Sequence, residues 1–264
     1  MATEVKILVE GVTNADSVVE TGEEHTQPTI TLVRDGDLIM VVDPGILKNQ
    51  DILVDALAKE NLTVQDVNLV FITHSHFDHY RNIGMFPNAK TLEYFGLWSK
   101  DTVENWSENF TPNIQVLHTP GHDYTSLSLL VTMSPESEYP GTVAICGDVF
   151  WKKSFPLEPH DDAYASNPER LKESREMILR TADWIIPGHG GIYKNDKSVE
   201  LKKEFKKKTG KGSAKDNGSR ITITCKKCSA EMKQHDKCLC RPYLCFRCCQ
   251  CGYDCPACGC SHKK

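Results

Sequence analysis

No apolar run in this 264-residue chain approaches the roughly 20 residues that a helix needs to cross a bilayer. The N-terminus, Met1-Ala2-Thr3-Glu4-Val5-Lys6, does not open with a charged segment followed by an apolar one, so no secretory leader is visible. Together these absences set a cytoplasmic location and no membrane partner as the expectation. Cysteine is scarce in most of the chain: of twelve, only Cys146 precedes residue 225. Without export, disulfides are a poor use for the remainder. Positive charge is sparse as well. Residues 1–192 carry 13 Lys and Arg against 29 Asp and Glu, a balance of −16, whereas residues 193–264 carry 18 against 7, or +11, and the two sum to −5. A solvated acidic domain with a basic linker accounts for this; so does a basic tail that attracts an anionic partner such as RNA or DNA. No internal repeat runs through residues 1–193. The hydrophobic content of 39% suits one large domain with a core plus a small appendage.

Within that large domain the patterning reads as α/β. Residues 6–9 form a first strand. Residues 29–34 and 38–42 flank Asp35-Gly36, a hairpin signal. Residues 51–59 read as an amphipathic helix with Ile52, Leu53, Ala56 and Leu57 on one side. A strand is expected over 69–73, a short helix over 79–86, and further strands over 127–131 and 142–146. Asn167-Pro168-Glu169 supplies a cap and a first-turn proline for a helix to about residue 180.

The chemistry sits where the apolar runs stop. Leu69-Val70-Phe71-Ile72 leads into His74-Ser75-His76-Phe77-Asp78-His79, three imidazoles and a carboxylate within six residues. These are ligands for zinc and similar divalent ions, and burying them with no ion would leave unpaired polar groups. His122 follows Thr119-Pro120-Gly121, Asp148 follows Cys146-Gly147, and His189 sits in Pro187-Gly188-His189-Gly190. Each lies just past a short apolar stretch. In open α/β layers sites gather at strand ends, so the four events point to one convergent site.

This pattern, H-x-H-x-D-H, then a lone His, an Asp and a last Gly-His, resembles the metallo-β-lactamase fold hydrolases. Residues 72–79, Asn82-Ile83-Gly84-Met85-Phe86-Pro87, Gly147-Asp148-Val149-Phe150 and residues 182–190 narrow the likeness to the metallo-β-lactamase domain-containing protein 1 group. It covers roughly residues 5–193 and does not reach the tail. The resemblance implies a four-layer αβ/βα sandwich. It also implies two zinc ions (or iron or manganese). His74, His76 and His122 would hold the first ion, Asp78, His79 and His189 the second, and Asp148 would bridge them. A water between the ions, ionised near neutral pH, would then attack a carbonyl or phosphorus centre, with Asp78 helping to orient it.

Around this centre, Asp43 at the end of the second hairpin strand is the candidate carboxylate behind the ligands. His118 and His160 are candidates for a general acid or for the pocket rim. Phe77, Phe150 and Trp151 read as pocket wall or core. The substrate stays open between RNA phosphodiesters, as the likeness to that group suggests, and a small ester or thioester of the glyoxalase II kind. A non-catalytic interaction module held by metal is the third reading. The oligomeric state is not legible, a homodimer being one option.

Residues 194–220 read as a basic, flexible linker. Residues 221–264 hold Cys225, Cys228, Cys238, Cys240, Cys245, Cys248, Cys249, Cys251, Cys255, Cys258 and Cys260. Cys225/Cys228, Cys245/Cys248 and Cys255/Cys258 are C-x-x-C hooks of the kind that hold zinc, with His235 and His262 as optional ligands. About 40 residues bury too little apolar surface to fold unaided, so one or two structural zinc ions are expected there. Contact of this tail with nucleic acid or protein is an open expectation.

Overall fold

A computed structural model describes residues 3–15, 22–153, 162 and 164–196, and the backbone of 223–224 and 231–232. The chain divides into two units, Met1–Lys208 and Thr209–Lys264.

In the first unit, β1 (Glu4–Val9) is followed by a small ribbon of β2 (Val12–Thr13) and β3 (Thr26–Gln27). The hairpin β4 (Ile30–Asp35) and β5 (Leu38–Val42) turns at Gly36, whose φ of 61° lies in the left-handed region that glycine enters without penalty. Helix α1 (Asp51–Lys59) leads to β6 (Leu69–Phe71). A one-turn helix, α2 (Phe77–Tyr80), precedes β7 (Lys90–Glu93), β8 (Gly96–Ser99) and β9 (Thr102–Glu104). Then come β10 (Ile114–His118), β11 (Leu127–Met133), β12 (Gly141–Ile145), α3 (Pro168–Thr181), β13 (Trp184–Ile186) and β14 (Tyr193–Lys194). One sheet runs β1-β4-β5-β6-β7-β8-β9 and the other β10-β11-β12-β13-β14.

Alternation along the strands builds three apolar layers. Met40, Val42, Leu69 and Phe71 of the first sheet meet Leu127, Leu129, Val131, Val143 and Ile145 of the second in one buried cluster, so the sheets pack face to face. The intervening residues point outward: Val41 and Val70 meet Leu53 and Leu57 of α1, and Leu130, Ala144 and Ile185 meet Leu171 and Ile178 of α3. This is the expected αβ/βα sandwich.

Some elements depart from expectation. Ile52 is exposed, and the inner face of α1 is Leu53, Ala56 and Leu57, a narrower stripe at i, i+3 and i+4. The helix expected over 79–86 starts two residues earlier and stops after one turn, and a separate 3₁₀ turn follows at Ile83–Met85. Its carbonyls explain the break. His79 O accepts from Gly45 N (3.0 Å) and Gly45 O accepts from Asn82 N (3.0 Å), so the loop after β5 takes bonds a longer helix would use. The strand over 69–73 ends at Phe71. Helix α3 begins as expected, with Asn167 Oδ1 accepting from Arg170 N at 3.0 Å. In the second unit, β15 (Ile223–Thr224) pairs antiparallel with β16 (Glu231–Met232).

Candidate metal centre

Strand direction decides where the polar residues meet. β5 and β6 are parallel, as are β12 and β13, and β10 runs in the sense of β12 because β11 is antiparallel to both. The C-terminal ends of β5, β6, β10, β12 and β13 therefore deliver Asp43, residues 74–79, His122, Asp148 and His189 to one edge of the sandwich.

There the side chains fall into two groups whose ligand atoms lie within 4.8 Å of one another: His74, His76, His122 and Asp148, and Asp78, His79 and His189. Asp148 stands between them. Its Oδ2 is 3.4 Å from His122 Nε2 and 3.9 Å from His74 Nε2, its Oδ1 is 3.4 Å from His79 Nε2, and His189 Nε2 is 3.3 Å from both oxygens. A tetrahedral ion with bonds of about 2.0–2.1 Å has ligand–ligand edges of about 3.3–3.4 Å. His74 Nε2, His79 Nε2 and Asp148 Oδ1 are buried with no hydrogen-bond partner, a costly arrangement that a cation at the centre removes. The cluster fits a dinuclear metal site.

The opposite edges of the rings are fixed. Asp43 accepts from Thr73 N (2.8 Å), from Thr73 Oγ1 (2.7 Å) and from His79 Nδ1 (2.8 Å). Because the Thr73 hydroxyl donates to Asp43, its oxygen accepts from His74 Nδ1 (3.0 Å). His189 Nδ1 donates to Gln27 O (2.9 Å). With Nδ1 carrying the proton in all three rings, each Nε2 keeps its lone pair toward the centre. Thr26 Oγ1 donates to Asp78 Oδ2 (2.9 Å), the oxygen nearest His79 and His189. Thr29 Oγ1 donates to Gly190 O (2.8 Å) and accepts from Gly190 N (2.9 Å), which holds the His189 loop. Thr26, Gln27, Thr29 and Thr73 were missed by sequence reasoning. Only the position of Thr73 between a strand and the histidine cluster offered a signal.

Gly188 is glycine for a steric reason: a Cβ there would lie 1.7 Å from Asp148 Oδ1. The carboxylate occupies the space a side chain would need.

Electrostatics of the metal-free centre are divided. Burial pushes His74 well below 6.5, reinforced by the neighbouring His79, and pushes His122 down to about 4. Burial acts the same way on His79, but Asp148 and Asp43 outweigh it and hold that ring well above 6.5. His189 is likewise raised against burial by Asp148. Burial would raise Asp148, yet His189 and His79 beside it keep its carboxyl well below the usual range.

The centre opens on a cavity of about 230 Å³ lined by Thr13, Glu24, Thr26, Phe77, Trp151 and Tyr164 together with the ligand side chains. Phe77 and Tyr164 are exposed, and Trp151 packs edge-on against His122. Phe150 is core. His118 ends β10 with its ring against Tyr94 (5.6 Å) and Trp106 (5.2 Å), and it is not among the residues lining the cavity. His160 lies outside the described residues.

Residues 25–111 match the model of the metallo-beta-lactamase superfamily. Over 186 residues the chain is 32% identical to Metallo-beta-lactamase domain-containing protein 1 of Xenopus laevis, covering 66% of this chain and 75% of that one. The chain belongs to the metallo-beta-lactamase superfamily. A protein of the same name in Mus musculus is 34% identical, the match covering 59% of this chain and 60% of that protein. Among solved structures, a metallo-beta-lactamase-like protein of Thermotoga maritima superposes with a TM-score of 0.57 at 24% identity, covering 74% of this chain and 100% of the other. An N-acyl homoserine lactone hydrolase, bound to its product at a catalytic metal centre, gives 0.52 at 17%, covering 71% and 92%. Both likenesses show the fold. As a member of this superfamily the protein is a metal-dependent hydrolase. No helix among its described residues is long and apolar enough to cross a membrane.

Proposed function

We propose that this metallo-beta-lactamase family member is a binuclear hydrolase of small carbonyl esters, lactones or thioesters. One observation supports two ions: Asp148 reaches both ligand groups, its Oδ2 3.4 Å from His122 Nε2 and its Oδ1 3.4 Å from His79 Nε2, with His189 Nε2 3.3 Å from each oxygen. On this reading His74, His76 and His122 hold one ion, Asp78, His79 and His189 the other, and Asp148 serves both. Imidazole and carboxylate donors without thiolate suit zinc, iron or manganese. When bound, such ions supply Lewis acidity and a hydroxide at neutral pH.

The chain's own residues supply the rest. Asp43, Thr73 and Gln27 hold the rings in the tautomer that leaves Nε2 free. Thr26 orients Asp78. Phe77, Trp151 and Tyr164 form the wall against which an apolar acyl or alcohol part rests.

Charge at the cavity favours a small molecule over RNA. No lysine or arginine is among its described lining residues. Nucleic-acid binding leans on such cations to neutralise phosphates. The +11 balance of residues 193–264 is what favours RNA, and nearly all of it lies outside the described residues.

Purified metal-loaded protein is to be assayed side by side on an N-acyl homoserine lactone, S-lactoylglutathione and single-stranded RNA. Turnover of a lactone or thioester with intact RNA is expected; cleavage of RNA alone overturns the substrate reading. We further infer that the cysteine-rich segment, in which β15 and β16 bracket the sequence containing Cys225 and Cys228, holds one or two structural zinc ions. Zinc content should then fall by that number when residues 209–264 are removed.

A further inference from the structure

Among the largest fully buried side chains of the described residues is a charged one, Arg175 of α3. It sits in the apolar layer between α3 and the second sheet, with Leu171, Ile178, Val149 and Phe150 around it. A buried guanidinium is costly to desolvate, and replacing it together with its buried carboxylate partner by apolar side chains often leaves a protein equally or more stable. Stability is therefore a weak reason for arginine at this position, and its hydrogen bonds suggest another.

Arg175 Nε donates to Val149 O at 2.8 Å, and Nη2 donates to Asp162 Oδ2 at 2.9 Å. The guanidinium carbon lies 5.7 Å from the centre of the Phe150 ring. Val149 closes the 3₁₀ turn Gly147–Val149, in which Asp148 departs from helical angles at φ −83°, ψ 15°. The next two carbonyls reach the other end of the centre: Phe150 O accepts from Gly188 N (2.9 Å) and Trp151 O from His189 N (2.6 Å). A single short strip, residues 148–151, thus carries the Asp148 carboxylate and also docks the His189 loop. Arg175 pins that strip at the Val149 carbonyl. Asp162, also buried, holds the far end of the guanidinium, two residues before Tyr164 of the cavity wall.

We propose that Arg175, held by Asp162, is the positioning residue that sets the Asp148 carboxylate between the two ligand groups. The inference rests on the reading that Asp148 serves both ions. It assigns Arg175 no contact with substrate or metal. Its effect passes through the peptide plane between Val149 and Phe150, which fixes where Asp148 and His189 stand relative to each other. Without the Nε bond, the turn is free to rotate Asp148 toward one group, and the pair of sites becomes one good site and one poor one.

The full-length protein is to be loaded with Mn²⁺, an ion that carboxylate and imidazole suit and that the tail thiolates disfavour. Stoichiometry, chelator-competed affinity and the electron paramagnetic resonance spectrum are recorded for wild type, Arg175→Met, Arg175→Lys and Asp162→Asn. Arg175→Met keeps the volume in an apolar surrounding. It leaves Asp162 buried without its cation and should melt below the wild type when metal-free, and the folded variant should bind its second ion about 10–100-fold more weakly, with loss of the exchange-coupled two-ion spectrum. Arg175→Lys, which keeps the charge but has no Nε, should behave in the same direction. Wild-type affinity and an unchanged coupled spectrum in Arg175→Met overturn the proposal. Should that variant fail to fold, Asp162→Asn decides in its place, a wild-type spectrum and affinity there refuting the pair. A wild-type protein that saturates at one Mn²⁺ sinks the two-ion reading itself, a result separable from the others.

Discussion

Asp43→Asn tests the centre with almost no change of shape. Asp43 is 2% exposed and has φ 48°, a left-handed conformation that asparagine tolerates, so the backbone has no reason to move. The carboxylate accepts from two groups of Thr73 and from His79 Nδ1, at 2.7–2.8 Å. An amide offers one acceptor and one donor in the same space. If its oxygen stays on Thr73 N, its NH₂ faces His79 Nδ1. His79 must then move its proton to Nε2, the atom 3.4 Å from Asp148 Oδ1, and is lost as a ligand. If the amide flips, NH₂ and the Thr73 N–H oppose each other, a buried conflict costing about 1–3 kcal/mol. Either path weakens the ion at Asp78, His79 and His189 by about 10–100-fold, or about 1.4–2.8 kcal/mol. Competition with a chromophoric chelator measures this directly. An affinity within twofold of wild type, with the variant folded, would refute the tautomer argument and the role given to Asp43.

Three further outcomes are expected. Asp148→Ala should reduce bound metal toward one ion at the His/Asp centre and abolish turnover; two tightly held ions by elemental analysis would contradict the shared carboxylate. Gly188→Ala places a methyl group where Asp148 Oδ1 stands, 1.7 Å away, so metal affinity should collapse in a variant whose far-UV circular dichroism is retained; unchanged affinity would show the two loops separating without cost. Asp148 and Asp43 raise the hold of His79 on a second proton in the metal-free protein, and that proton must leave before metal binds, so apparent affinity should climb with pH until His79's folded value is passed. The sign for the metal-free fold is opposite: the contribution of His79 is complete below about 6.5 and fades as pH rises through the higher folded value. Calorimetry in two buffers of different protonation heat detects the released proton, and a buffer-independent heat contradicts it.

Much of this protein is readable along the chain because its signals are local. The hairpin at Asp35-Gly36, the capped start of α3 at Asn167-Pro168, and the histidine cluster at the end of an apolar run each depend on residues within a few positions of one another. The same holds for the order in which His74, His122, Asp148 and His189 follow short strands. That sites in α/β layers gather at strand ends makes their meeting a reasonable expectation from sequence, and the strand directions that bring it about come from the fold. Other features exist only in three dimensions. Nothing near Thr26 or Gln27 marks them as partners of Asp78 and His189, because the contacts span 52 and 162 residues. The early stop of α2 depends on Gly45 claiming the His79 carbonyl. Ile52 faces solvent because the phase of α1 is set by the sheet beneath it. The absence of cations among the described residues of the cavity wall, and the guanidinium of Arg175 beneath the Asp148 turn, follow from which loops the sandwich brings together. Composition and periodicity carry backbone preference and ligand type. The direction each side chain faces, and the proton each ring keeps, depend on partners far along the chain that only packing supplies.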